Sequence, residues 1–334
     1  MPEAVWFGGP HRVEIRQEPV ASVGPDDVRV RSVVSGVSAG SELLVYRGDA
    51  PSDIPPDLPT VGGDFGFPVK FAYASVGRVI EVGSRVARLA VDDLVFVHHP
   101  HQTEYVVPAD TPMRLPDDLP PDVGVFAANL ETAVTVVLDA HPRLGEAVLV
   151  AGQGVVGLLI TMLLRRLGTT PIVTADFHER RRAASASAGA DHVLRVDVDL
   201  VDAVLGLTEG RGVDVAVEAS GNPAALQACI DASAYGGTIV VASWYGTRNV
   251  SLDLGARFHR RRLRVVSSQV STLDSALAPR WDRARRSSLV AGLLQELPLE
   301  ELITHRFPLD RAAEAYELLD HGAGECLQVV LDYV

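Results

Sequence analysis

From residue 146 onward the chain alternates short apolar runs with helical stretches, and few folds accept that pattern. AVLVAGQG, PIVTADF, HVLRV, VDVAVEASG, TIVVASWYG and LRVVSSQ read as six strands. Segments such as VVGLLITMLLRRLG and NPAALQACIDASAY, lying between the first five, read as helices. Repeated strand–helix alternation predicts an α/β domain built on a doubly wound parallel sheet.

A glycine fingerprint opens this region. Gly152, Gly154 and Gly157 stand in G-x-G-x-x-G spacing, after an apolar strand and at the start of an apolar helix. The first glycine permits a tight turn, and the second lets backbone approach a pyrophosphate. The third lets helix and strand pack closely, and the helix N-terminus attracts the phosphates. Asp176 closes the second strand 19 residues after Gly157, where a ribose-binding acid belongs. The combination predicts a dinucleotide site on a Rossmann sheet, formed by Gly152, Gln153, Gly154, Val155, Val156, Gly157 and Asp176. A carboxylate at 176 accepts from a ribose 2′-hydroxyl and repels a 2′-phosphate, which favours NAD. Arg180, Arg181 and Arg182 follow it. They keep NADP open, with Arg181 as a candidate contact, or form a solvated helix face. Ligands bind at the carboxyl ends of such strands. Ser220 and Gly221 of EASG, and Ala242, Ser243 and Trp244 of ASWYG, are therefore expected on the nicotinamide side. Trp244 and Tyr245 are read either as pocket walls or as core aromatics.

The first 120 residues have a different texture. VRVRSVVSG, ASVGRVIEVG and LVFVHH are short apolar runs separated by turn signals, which predicts a twisted or barrel-like β domain. Residues 49–68 form a long proline- and glycine-rich loop, a candidate cover for a site. GVFAANLETAVTVVLDA, near 124, reads as a helix. The last segment, from 272, loses the strand–helix alternation and ends in the strand CLQVVLDYV. It is expected to rejoin the first domain, giving 1–123 with 272–334 around 124–271.

Composition excludes several classes. The net charge is −13, and the densest basic runs, HERRR and RFHRRRLR, are short, so neither nucleic acid nor an acidic membrane is an expected partner. The two cysteines, Cys229 and Cys326, form no CxxC and no disulfide framework, which favours the cytoplasm. No run of 18 apolar residues and no signal-peptide pattern is present.

With these elements the chain resembles the medium-chain dehydrogenase/reductase superfamily over nearly its whole length. GPDDVRVRSVVSGVSAGSEL is similar to its strand entering the catalytic loop, and ASVGRVIEVGSRVARLAVDDLVFV to its following β segment. ITHRFPLDRAAEAYELLDHGAGECLQVVL is similar to its closing segment. The SGxSxGSE variant is similar to 3-hydroxyethyl bacteriochlorophyllide dehydrogenases and biosynthetic relatives. The resemblance implies a GroES-like catalytic domain made from both chain ends, a Rossmann domain between them, and a cleft at their junction. It also implies a homodimer or homotetramer, commonly joined through the Rossmann sheet edge.

Zinc members of that superfamily hold their metal through a Cys, a His of a Gly-His-Glu triplet, and a later Cys, Asp or Glu. Here Ser38 stands at the first position, Ala72-Tyr73-Ala74 at the triplet, and only Glu131 keeps a ligand type. A serine hydroxyl and a tyrosine are poor zinc ligands, so no zinc is expected. The resemblance instead offers Ser38, Ser41 and Tyr73 as groups that hydrogen-bond a substrate oxygen or pass a proton. It also places Thr135 beneath the nicotinamide. Glu131 is read as a general base, as a charge partner for a histidine, or as a helix N-terminal acid.

HHPHQTE (98–104) is the densest histidine run. On an extended chain His99 and His101 share a face and His98 points away. One of the pair is a candidate acid–base group. The alternatives are a relocated zinc site with Glu131 and a polar loop without chemistry. His259 and His305 are read as structural. The functional expectation is a zinc-independent, NAD-linked oxidoreductase, NADP remaining possible, acting on a secondary alcohol or its ketone. Two alternatives stand beside it: an NADPH-dependent enoyl or quinone reductase, and a catalytically silent NAD(H)-binding redox sensor.

Overall fold

The computed structural model describes residues 1–56, 58, 60–196 and 199–333. Positions 57 and 59 of the predicted loop, 197 and 198, and 334 at the end of the predicted last strand lie outside the described residues. The chain divides into two compact units, residues 1–128 with 287–334, and residues 129–286. The sequence places these boundaries at 123/124 and 271/272. The later second boundary has a physical cause. Arg286 donates to Val270 O (2.6 Å) and to Thr135 Oγ1 (3.0 Å), tying the segment after 271 to the doubly wound unit.

The first unit begins with an antiparallel pair, β1 (Glu3–Gly9) and β2 (Arg12–Gln17). The long β3 (Asp27–Val37) leads into α1 (Ser41–Arg47). Then follow β4 (Ser75–Val82), β5 (Leu94–Val97), β6 (Glu104–Pro108), β7 (Met113–Arg114) and the single turn α2 (Pro121–Gly124). The first half of β3 buries Val28 and Val30 while Arg29 and Arg31 stay outside. That alternation is expected of a strand with one covered face. Within loop 49–68, Val61 and Phe65 are buried in the same core as Phe7, Tyr46 and Tyr316.

The second unit is the doubly wound sheet. After α3 (Ala127–Ala140) come β8 (Val148–Ala151), α4 (Val155–Arg166), β9 (Ile172–Asp176), α5 (Glu179–Ser187) and β10 (His192–Arg195). The second half holds α6 (Leu200–Leu207), β11 (Val213–Glu218), α7 (Pro223–Ala232), β12 (Ser233–Val241) and β13 (Arg264–Ser267). The six strands run in parallel in the order β10-β9-β8-β11-β12-β13. The order therefore reverses between β8 and β11, whose carboxyl ends form the switch point where such sheets take ligands. β8 and β9 are buried at every position, as strands covered on both faces must be. One predicted helix is shorter than its sequence suggests. NPAALQACIDASAY stops being helical at Ala232, where Ser233 Oγ donates to Cys229 O and the chain turns into β12.

The chain then returns to the first unit through α8 (Arg283–Glu296), β14 (Ile303–Pro308), α9 (Ala312–His321) and β15 (Gln328–Asp332). β15 pairs antiparallel with β3 and parallel with β14. This completes a seven-stranded sheet ordered β14-β15-β3-β4-β5-β7, with β6 also on β3.

Candidate active site and cofactor cradle

The glycine turn lies at the switch point. Gly152 has φ +97°, and a side chain there would meet the backbone of Ser220 at 2.6 Å. A Cβ on Gly157 would sit 2.0 Å from Gly152 O, whereas one on Gly154 would meet nothing within 4 Å. Gly154 thus faces open space at the N-cap of α4, whose first turn has no side-chain cap. Uncapped N–H groups beside open space suit an anion, so these residues fit a pyrophosphate. Val155 and Val156 flank that opening, partly exposed. Gln153 is different. Its side chain is fully buried, donates to Val150 O and Gly152 O, and accepts from Thr161 Oγ1, so it braces the turn from inside.

Asp176 is buried at the end of β9. One carboxylate oxygen accepts from Gln153 N (2.7 Å) and the other from His178 N (2.8 Å). Each oxygen keeps a further lone pair, so the acid both clamps the turn and fits a ribose hydroxyl. Arg182 donates to the carbonyls of Asp176 and Phe177, which ties it to the strand end; Arg181 is partly exposed and Arg180 exposed.

At the carboxyl end of β11 the organising group is Glu218, which the sequence reading passed over. It is fully buried and accepts from Ser220 N, Ser220 Oγ, Gly221 N and Tyr245 OH. Ser243 Oγ accepts from Gly221 N (2.9 Å), and Ala242 N donates to Glu218 O (2.9 Å). The predicted residues Ser220, Gly221, Ala242 and Ser243 are thereby held together. Trp244 is exposed, while Tyr245 packs against the sheet core and bonds Glu218, which makes it structural.

Glu131 and Thr135 lie one helical turn apart in α3. Thr135 Oγ1 donates to Glu131 O (2.8 Å) and accepts from Arg286 Nη1. Arg286 Nη2 stands 3.8 Å from Glu131 Oε1, and both side chains are buried. Glu131 therefore has the Arg286 guanidinium beside it. Burial holds the Arg286 guanidinium below its usual range, against the pull of Glu131. Arg286 sits in the run RARR, which carries no sequence signal of burial.

In the first unit Ser38, Ser41 and Tyr73 come together. Tyr73 OH donates to Ser38 Oγ (2.6 Å). With that proton committed, the 3.3 Å contact between Ser41 Oγ and Tyr73 OH must have Ser41 as donor. The chain of hydroxyls therefore runs Ser41 to Tyr73 to Ser38, and no described residue accepts the Ser38 hydrogen. Burial pushes the Tyr73 hydroxyl above its ordinary value, so it stays protonated at neutral pH. Beneath this chain lies Glu42, also missed from sequence. It is fully buried and accepts from Ser38 N (2.9 Å), His101 Nε2 (3.0 Å) and Tyr316 OH.

The histidines do not share a face. Residues 98–103 form no regular strand, and each ring has its own surroundings. His99 is buried, stacks on Tyr105 at 3.6 Å between centroids, and contacts Pro100 O through Nδ1. Burial pushes its pKa down to about 3. His101 is 1% exposed, with Nε2 on Glu42 and Nδ1 on Ser35 Oγ (2.7 Å), which in turn meets Tyr333 OH (2.8 Å). With both nitrogens engaged, His101 offers neither a metal ligand nor a group facing substrate. His101 is thereby removed from the expected acid–base pair and from the alternative zinc site of His99, His101 and Glu131. His305 bonds Thr304 Oγ1, and His259 is exposed, not packed.

The family described as zinc-binding dehydrogenase matches residues 155–284. L-threonine 3-dehydrogenase of Pyrococcus abyssi is 28% identical, with 92% of each chain covered. D-guloside 3-dehydrogenase of Escherichia coli is 28% identical over 87% of this chain and 88% of that one. The crystal structure of 2R,3R-butanediol dehydrogenase from Bacillus subtilis shares the fold, with a TM-score of 0.82 at 21% identity and 99% of each chain covered. Residues 155–284 thus match the zinc-binding dehydrogenase family, and nearly the whole chain is similar to medium-chain dehydrogenases. Its strand-rich unit has the GroES-like fold and its doubly wound unit the Rossmann fold, and the curated relatives named above are dehydrogenases.

Its likeness to zinc-binding dehydrogenases allows a test for zinc on the donor set. Ser38 Oγ is taken by Tyr73, Tyr73 is a protonated phenol, and Glu131 faces a guanidinium. Among the described residues no group of three His, Cys, Asp or Glu side chains is placed to hold a metal ion. Ser38 and Tyr73 are poor donors for zinc. The Rossmann unit does fit a dinucleotide, through the open side of Gly154, the uncapped first turn of α4 and the Asp176 carboxylate. No described helix is long and apolar enough to cross a membrane.

Proposed function

We propose that this protein is a zinc-independent, NAD-linked oxidoreductase interconverting a secondary alcohol and its ketone. The hydroxyl chain from Ser41 through Tyr73 to Ser38, ending in an unclaimed proton, carries the reading. Relatives named threonine, guloside and butanediol dehydrogenases support an alcohol substrate. The carboxylate of Asp176 at the end of β9 supports NAD over NADP.

When bound, the nicotinamide supplies or accepts the hydride. In ketone reduction the carbonyl carbon gains a C–H bond and its π electrons move to oxygen. Ser38 donates its hydrogen to that oxygen, Tyr73 reprotonates Ser38, Ser41 reprotonates Tyr73, and solvent water at the exposed Ala39–Gly40 turn returns a proton to Ser41. Oxidation of the alcohol reverses each transfer. Glu42 fixes the Ser38 backbone, so the donor is aimed before charge develops.

The test measures ketone reduction by NADH in metal-free buffer, with metal content assayed on the same sample. Ser38→Ala and Tyr73→Phe should each lower kcat by roughly 10²-fold or more while NADH binding, read by fluorescence, is kept. Stoichiometric zinc with activity lost on chelation, or unchanged turnover in both variants, overturns the proposal. Turnover of an enone but no ketone points instead to an enoyl reductase, and NADH binding without any turnover to a sensor.

The proposed assembly is a homodimer through the Rossmann sheet edge. Among the described residues β13 pairs with β12 alone, and it exposes Val265. An open edge of this kind invites a second copy related by a twofold axis.

A further inference from the structure

The Rossmann unit carries a dense basic run that neither the hydroxyl chain nor the glycine turn uses. Residues 254–273 hold no acid, yet Arg257, Arg260, Arg261, Arg262 and Arg264 crowd together in a chain of net charge −13. The run makes one compact turn before β13: Arg261 N donates to Arg257 O (2.9 Å) and Arg262 N to His259 O (3.3 Å). Two of its arginines serve the fold. Arg257 donates to Asp231 O and Arg261 Nη1 to Ser233 O (2.7 Å), so both close the carboxyl end of α7.

Arg260 and Arg262 are left over. Both are exposed, and among the described residues neither guanidinium meets an acid or a carbonyl. Elsewhere exposed arginines find carboxylates: Arg16 beside Glu14, Arg114 beside Asp93, Arg165 beside Asp191 and Arg311 beside Glu314. Arg262 also stands at a left-handed turn position, φ +53°, where glycine or asparagine is the easier choice, so the turn does not explain its side chain. Beside the run lies an aromatic ring. Gly236 N donates to Arg261 O (2.7 Å), which sets the preceding Tyr235 against it, and Tyr235 is 71% exposed. Arg264 opens β13, the strand proposed above as the dimer edge, and is left out of the patch.

We infer that Arg260, Arg262 and Tyr235 dock a short acidic segment of a partner protein. A guanidinium fork matches a carboxylate with two parallel hydrogen bonds. The phenol ring adds an apolar face that an aliphatic side chain of the segment can cover. A nucleic-acid strand or an anionic membrane carries its charge past the patch onto a chain of net charge −13, whereas a short segment ends with the patch. The patch lies at the amino end of β12, and the glycine turn at the carboxyl end of the parallel β8. Docking therefore leaves the dinucleotide cradle open and serves to hold the protein beside its partner.

The experiment is fluorescence anisotropy of a short labelled glutamate–leucine peptide, titrated with the full chain at low salt; circular dichroism and the thermal midpoint check folding. Arg260→Glu combined with Arg262→Glu should weaken binding by roughly tenfold or more, through two lost pairs and the added repulsion. Tyr235→Ala should weaken it by roughly threefold or more. Arg12→Glu, a reversal at an exposed arginine of the other unit, should leave it unchanged. Unchanged affinity in the double reversal, or equal weakening by Arg12→Glu, overturns the inference. So does patch-dependent binding of a labelled single-stranded oligonucleotide, or of phosphatidylserine vesicles, that is tighter than peptide binding at the same salt. Sedimentation gives the last arm: an oligomer that dissociates in the double reversal puts a second copy on the patch and overturns the proposed partner.

Discussion

Glu42 offers the sharpest test of how the GroES-like domain is held. Its carboxylate has no solvent exposure and accepts three hydrogen bonds, from Ser38 N, His101 Nε2 and Tyr316 OH. A carboxylate cannot donate, so Nε2 of His101 carries a hydrogen. The neutral ring that satisfies every partner then accepts at Nδ1 from Ser35, whose oxygen accepts from Tyr333. Glu42→Leu leaves three buried donors without acceptors. At about 1–3 kcal/mol each the loss is about 3–9 kcal/mol, against a total stability of about 5–15 kcal/mol.

Glu42→Gln separates hydrogen-bond order from shape. If the amide NH₂ faces Ser38 N, two donors collide. The better placement puts the amide oxygen toward Ser38 N and the NH₂ toward His101 and Tyr316. That placement requires the imidazole to change tautomer, with Nδ1–H now donating to Ser35 and Ser35 donating to Tyr333. Only the Tyr316 hydrogen is then left unmet, so the expected cost is about 1–3 kcal/mol, well below that of leucine. Urea denaturation of the three proteins gives the energies, and ¹⁵N shifts of His101 give the tautomer. If the ring keeps its Nε2 hydrogen in Glu42→Gln, or if Gln costs as much as Leu, the proton order deduced for this chain is wrong.

Three further outcomes follow from the same geometry. Burial lowers the His99 pKa to about 3 from about 6.5 in the unfolded chain, so its contribution is complete above pH 6.5 and is lost as pH falls. Between pH 7 and 5 the wild type should lose about 2 kcal/mol more than His99→Phe in urea denaturation; parallel losses refute the burial argument. Gly154→Ala should leave the thermal midpoint in place and weaken NADH binding, because its Cβ enters only the open side of the turn. Gly157→Ala should lower both the midpoint and binding, because its Cβ meets Gly152 O.

What sequence made legible was whatever depends on periodicity. β8, β9 and β11 are covered on both faces, so they appear as apolar runs, and the glycine turn between β8 and α4 is marked by residue type alone. The HHPHQTE reading failed because it assumed an extended chain, and two-residue periodicity means nothing where the backbone is irregular. Arg286 was hidden for a related reason. RARR reads as a solvated face, and only the position of α8 against Thr135 and Val270 turns one of its arginines inward. Ser38, Ser41 and Tyr73 were found through resemblance. Their order as donors needed coordinates, because a hydroxyl's direction is set by its neighbours.

Three acids show why the remainder could not be read. Glu42, Asp176 and Glu218 are all buried; Asp176 and Glu218 each accept from two backbone N–H groups, and Glu42 accepts from Ser38 N together with two side-chain donors. Each binds the loop it organises: Ser38 for Glu42, the glycine turn for Asp176, and Ser220 with Gly221 for Glu218. A loop whose N–H groups converge can be gathered only by an acceptor, and a carboxylate offers about four lone-pair sites with no hydrogen to misplace. An amide at the same position would bring two donors into a cluster of donors. The negative charge is thus the by-product of a need for acceptors, and it is tolerated because charge-assisted bonds offset much of its desolvation. The loops that would carry the proposed proton donor and cofactor are consequently set before any ligand arrives, the preorganisation that the proposed reaction through hydrogen bonds would require.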